Sequence, residues 1–104
     1  MHALLVNVTI DSGHEKDART YLETNVVPRV KEAPGIVSGH WMESADGRHG
    51  TSVILFESEE KARAREQDQR RQDGLEAARA TMAEIFDGPP EFVDLTVVND
   101  MVPG

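Results

Sequence analysis

A chain of 104 residues is one domain, long enough to bury roughly two-thirds of its unfolded surface around a single core. With no cysteine it carries neither a disulfide framework nor a thiolate nucleophile nor a sulfur-ligated metal. Nineteen acidic residues against eleven basic leave a net charge of −8, a field that repels phosphate backbones and anionic lipid and sets nucleic acid aside as a partner.

Met1 to Ile10 contains no Lys or Arg and no run reaches the length of a membrane span, so the expectation is a cytoplasmic protein with no membrane partner. Ala3 to Ile10 is almost continuously apolar, the pattern of a strand covered on both faces, and it ends at Asp11-Ser12-Gly13. Ser12 followed by Glu15 predicts a capping box, in which the serine oxygen accepts from the amide of the third helical residue and the glutamate reaches back. The helix that follows has the apolar stripe Ala18, Leu22, Val26 and Val30, spaced by four, with Tyr21 beside it. Pro28 lies in its interior and removes a backbone donor, which predicts a kink or a break near Val27 before Pro34-Gly35 stops the element.

Ile36 to Glu43 and His49 to Phe56 read as strands, joined into a hairpin by Ser44 to Arg48 with its Asp46-Gly47 pair. Ser58 caps a second helix, with Glu59 and Glu60 in the first turn where negative charge meets the helix dipole. From Lys61 to Gln72 little is apolar beyond Ala62 and Ala64, the composition of a solvated helical arm. Gly74 is expected to break that arm, and Asp73 with Glu76 is a second capping signature. Leu75, Ala78, Met82, Ile85 and Phe86 then form a core stripe that ends at Asp87-Gly88-Pro89-Pro90. Phe92 to Val98 is the last strand, and Asn99 to Gly104 is a tail that frays or docks on a partner.

The order is β-α-β-β-α-β. The first and third strands are apolar at both parities, whereas the second and fourth mix in Ser38, His40, Asp94 and Thr96, so the first and third are central. The strand order 4-1-3-2 is that of a ferredoxin-like α+β fold, a four-stranded antiparallel sheet with both helices on one face. Its other face is apolar in the central strands and predicts a homodimer packed face to face.

No nucleophile, metal or phosphate motif stands out, so candidate site residues are single polar or aromatic groups in apolar settings. Asn7 shares the parity of Leu5 and Thr9, and a buried amide there must be hydrogen-bonded or lose about 1 to 3 kcal/mol. Lining a pocket and satisfying local backbone both fit it. Trp41 flanks Gly39, whose missing side chain leaves room beside the indole, and it suits either core or interface packing or a ligand platform. His40 points the opposite way from Trp41 and is either a proton acceptor or an outward polar residue of an edge strand. Tyr21 steers a phenolic ligand or caps the core with its hydroxyl in water. His2, His14 and His49 lack ligand spacing, and no metal site is expected.

The opening strand, Val26-Val27-Pro28-Arg29-Val30 leading into Ala33-Pro34-Gly35-Ile36-Val37-Ser38-Gly39-His40-Trp41, and Val53-Ile54-Leu55-Phe56-Glu57-Ser58-Glu59-Glu60-Lys61-Ala62 together cover most of the chain. With them the sequence resembles the dimeric α+β barrel proteins, and among these the antibiotic-biosynthesis-monooxygenase-like domains, including small actinobacterial members of unassigned function. That family holds cofactor-independent oxygenases of polyphenolic substrates, haem-degrading enzymes, isomerases and members with no known activity. The haem-degrading branch uses an Asn on the first strand with a later Trp and His. Asn7 matches the first, but nothing after His49 matches the others, so haem degradation is the less favoured reading. The resemblance implies a dimeric α+β barrel and a cofactor-independent monooxygenase of a small aromatic or polyphenolic substrate, needing neither metal nor flavin. Asn7 would then donate to a substrate oxygen in a pocket between sheet and helices, Trp41 or Tyr21 would pack the ring, and His40 is the reserve base. The alternative is a non-catalytic ligand-binding or structural homodimer. Whether Tyr21, Trp41, Met82 and Phe86 fill the space between helices and sheet or leave it open discriminates the two.

Overall fold

In a computed structural model describing residues 1–64 and 69–103, the central strand β1 (His2–Thr9) pairs antiparallel with β3 (His49–Phe56) on one side and β4 (Glu91–Thr96) on the other. β2 (Ile36–Glu43) completes the sheet at the far edge of β3, giving the order β2-β3-β1-β4. That is the order expected from strand composition, with the two doubly apolar strands central. The helical elements are α1 (Glu15–Tyr21), a π turn (Leu22–Val26), α2 (Val27–Lys31), α3 (Glu59–Ala64) and α4 (Gln69–Ile85).

Strand alternation divides the side chains between two faces. Leu4, Val6, Val8 and Ile10 meet the helices in two buried clusters. One joins Leu4, Ile54, Phe56 and Ala62 with Val6, Val30 and Ile36 against it; the other joins Ile10, Ala18, Tyr21 and Ile85 with Val8, Val26, Met82 and Phe86. Ala3, Leu5, Asn7 and Thr9 face the other way, opposite Leu55, Val53, Thr51 and His49. Leu95 and Val93 extend that second face on β4, and among the described residues no helix covers it.

The first helix departs from the reading of its ends. Ser12 does not cap it: Asp11 to His14 forms a turn, with the His14 amide donating to the Asp11 carbonyl at 3.0 Å. Gly13 at φ +88° takes the chain out of the helical path where the capping box needs its first turn. The cap position falls to His14, whose Nδ1 lies 3.0 Å from Asp17 Oδ2, while Glu15 Oε1 accepts from the Gly13 amide at 3.3 Å. The interruption expected at Val27 is present in another form. The helix widens into the π turn, the Val27 amide donating to the Leu22 carbonyl five residues back, and α2 resumes with Pro28 in its first turn. The proline ring and its missing donor are tolerated there because the wider turn has already released the carbonyl it would crowd.

Ser58 caps α3 as expected, its Oγ accepting from the Lys61 amide at 3.2 Å. Gly74 does not break the next helix: α4 runs unbroken for 17 residues, since an interior glycine costs only about 1 kcal/mol. The Asp73-Glu76 pair consequently lies inside the helix and starts nothing. Of the solvated arm, Lys61–Ala64 and residues 69–72 are helical. Its remaining positions, and the Leu75 side chain of the core stripe, lie outside the described residues. The hairpin loop forms as read, with the Gly47 amide donating to the Ser44 carbonyl at 2.9 Å and Asp46 Oδ1 accepting from the Arg48 amide at 2.9 Å. β4 begins at Glu91 and ends at Thr96, two residues short of Val98. Beyond it Val98, Met101 and Val102 are exposed.

Candidate functional site

Between the helix-facing side of the sheet and the helices lies a cavity of about 810 Å³. Leu4, Val6 and Val8 of β1, Ser52 and Ile54 of β3 and Trp41 of β2 make its floor, and Tyr21, Val26, Val30, Met82 and Phe86 its walls. Tyr21, Trp41, Met82 and Phe86 thus border the space and leave it open. The volume lies within the range of small-molecule sites.

Two local features shape it. Trp41 lies along β2 over Gly39, so close that a Cβ on Gly39 would fall 2.6 Å from the indole Cη2. The ring is laid on the floor because Gly39 has no side chain to prop it up. Tyr21 is only 6% exposed and meets Phe86 edge-on, with ring centroids 6.2 Å apart at 77°. Its hydroxyl is buried without a hydrogen-bond partner in the protein, a state that costs about 1 to 3 kcal/mol unless a ligand or water satisfies it.

Charge enters the wall from the helices and from β2. The Arg19 guanidinium grips the Glu43 carboxylate with two donors, Nε at 3.2 Å from Oε2 and Nη2 on Oε1. Hydrogen bonding from Arg19 holds the Glu43 carboxyl below the usual carboxylate range, and the same contact raises Arg19. Arg29 of α2 and Arg79 of α4 also line the cavity. Among the described residues, no three His, Cys, Asp or Glu side chains come together as a metal site would require.

The structure therefore brings Tyr21 and Trp41 to one cavity and separates Asn7 and His40 from it, which corrects the expected constellation. Asn7 stands opposite Thr51 on the helix-free face, where its Oδ1 accepts from Thr51 Oγ1 at 2.8 Å and its Nδ2 donates to Glu91 Oε1 at 3.4 Å. His40, paired with Val53, is exposed on that same side because alternation turns it away from Trp41. The Arg19–Glu43 pair, Arg29 and Arg79 went unnoticed in the sequence. For Arg29 alone a signal exists, its place three residues after Val26 along the buried stripe.

No family model matches the chain, and no curated protein is similar to it. Solved structures are. A monooxygenase from the gene ActVA-Orf6 of Streptomyces coelicolor, crystallised with the ligand nanaomycin D, superposes with a TM-score of 0.77 at 22% identity, over 99% of this chain and 92% of that one. The fold is that of the antibiotic biosynthesis monooxygenase-like proteins. A protein of unknown function from Nitrosomonas europaea, NE2512, gives a TM-score of 0.75 at 18% identity, over 99% of this chain and 94% of its own. SnoaB, a cofactor-independent oxygenase from Streptomyces nogalater, gives 0.71 at 12% identity, over 96% and 95%.

Proposed function

We propose that this chain is a cofactor-independent monooxygenase of a small aromatic or polyphenolic substrate and that it acts as a homodimer. The observation that carries the reading is an apolar cavity bordered by the aromatic rings of Tyr21, Trp41 and Phe86. The fold shared with SnoaB and the ActVA-Orf6 monooxygenase supports it. The ring packs on Trp41 and Phe86, and a shift of the Tyr21 side chain on ligand entry brings its buried hydroxyl to donate to the substrate oxygen that carries negative charge once a proton has left for solvent. The substrate anion reduces O₂ and combines with it. The resulting peroxide loses water, so that a ring CH₂ and O₂ become a ring C=O and H₂O with the substrate supplying the electrons. Asn7 and His40 belong in this reading to the face that meets the second copy, and neither touches the ligand.

Oxygen uptake with anthrone, with anthraquinone as product and no added metal or flavin, tests the reaction. Tyr21→Phe should lower kcat at least tenfold, about 1.4 kcal/mol of transition-state stabilisation. The second reading is a ligand-binding homodimer without turnover. It is favoured by the fact that Glu43, the one carboxylate lining the cavity among the described residues, is engaged by Arg19. Aromatic ligands that bind but consume no oxygen across a broad panel would establish that reading instead.

A further inference from the structure

The charge of the cavity wall runs against the charge of the chain. The chain carries −8, yet the titratable side chains lining the cavity among the described residues, Tyr21 aside, are Arg19, Arg29 and Arg79 against Glu43 alone. Arg19 and Glu43 neutralise each other. Arg29 and Arg79 come from different helices, and their side chains take part in no hydrogen bond or ion pair among the described residues. Solubility accounts for an exposed Arg79 alone. It does not account for Arg29, which is half-buried beside the apolar stripe of Val26 and Val30 with no acceptor of its own. Unneutralised guanidinium groups beside apolar walls attract an anion far more strongly than in bulk water. Their fork of donors matches a carboxylate.

We infer that the ligand is an aromatic acid, its ring inside the cavity on Trp41 and Phe86 and its carboxylate facing Arg29 and Arg79. This rests on the reading that the cavity takes aromatic rings, and it adds the group that selects among them. The anionic end stays at the helix side, where Arg79 is exposed, while the ring end approaches the Tyr21 ring.

Calorimetric titration of the full chain with 2-naphthoate and with 2-naphthamide separates the two claims, because the probes share a ring and differ in charge. The acid should bind at least tenfold more tightly than the amide, and the ratio should shrink as salt rises from about 0.05 to 0.5 M because the arginines are partly in water. The Arg29→Gln/Arg79→Gln double variant, with the far-UV spectrum of the native chain, should bring the ratio close to one. Equal binding of acid and amide by the native chain would overturn the inference and leave the aromatic cavity standing. A ratio that survives in the double variant would overturn it as well. Binding of neither probe would overturn both claims.

Discussion

At the scale of single residues, the cavity depends on what is missing at Gly39. An indole is rigid, so a methyl group at that position cannot be absorbed by a small side-chain adjustment; the clash at 2.6 Å must tip the ring off the strand and into the space above. Gly39→Ala should cost about 1 to 3 kcal/mol of stability by overpacking and weaken binding of a two-ring aromatic at least tenfold. Trp41 is the only tryptophan in the chain, so its emission maximum reports the movement directly. Unchanged emission together with unchanged binding would show that the indole does not hold the floor open. Tyr21 illustrates the complementary case, a polar atom enclosed by its neighbours without a hydrogen-bond partner in the protein.

At the scale of elements, the π turn answers an arithmetic problem in the first helix. Ala18, Leu22, Val26 and Val30 span 12 residues in three steps, whereas three α-helical turns take about 10.8. A regular helix would carry Val30 well off the line of Ala18. One extra residue in the wider turn takes up most of the excess, and Ala18, Leu22, Val26 and Val30 all line the cavity as a result. Asn25 is an exposed member of that turn, bonded only to Thr24 Oγ1 at 2.9 Å among the described contacts. Deleting it should let the α-helical ladder close and rotate Ala18 and Tyr21 by about 100° relative to Val30. The expected cost is about 2 to 5 kcal/mol, comparable to removing a buried side chain. Asn25→Ala, which keeps the length, should cost less than about 1 kcal/mol. Denaturant unfolding of the two variants makes the comparison, and equal midpoints would mean that the turn serves no register.

At the scale of the whole molecule, one chain leaves its burial unfinished. Its radius of gyration is 14.2 Å against about 13 Å for a compact domain of this length, and among the described residues no large side chain is fully buried. Leu95, Met42 and Val37 are about half exposed along the sheet, and the tail adds Val98, Met101 and Val102 at 93%, 79% and 87% exposure. A second copy laid on the helix-free face would cover this apolar surface. Light scattering at micromolar concentration should give twice 11.5 kDa. Removing the chain after Val97 should raise the dimer dissociation constant at least tenfold if the tail docks on the partner. A stable monomer in water would overturn the argument.

Much of this architecture was legible because it rests on local, periodic signals. Apolar runs at both parities in Ala3–Ile10 and Val53–Phe56 name the central strands, Asp46-Gly47 names the hairpin, and Ser58 names a helix start. Ser12 misled because the conformation of Gly13 overrode a correct capping pattern, and Gly74 misled because helix continuity outweighs one glycine. Alternation also told that His40 and Trp41 part company. It could not tell which parity of a doubly apolar strand faces the helices, and so it left Asn7 undecided. Only packing decides that. The helices choose a face by covering Leu4, Val6 and Val8, and this choice sends Asn7 to the open side and gathers Tyr21, Trp41, Arg29 and Arg79 from four separate elements around one cavity. Periodicity is a property of neighbours in the chain, whereas a cavity belongs to residues that the chain brings together from far apart.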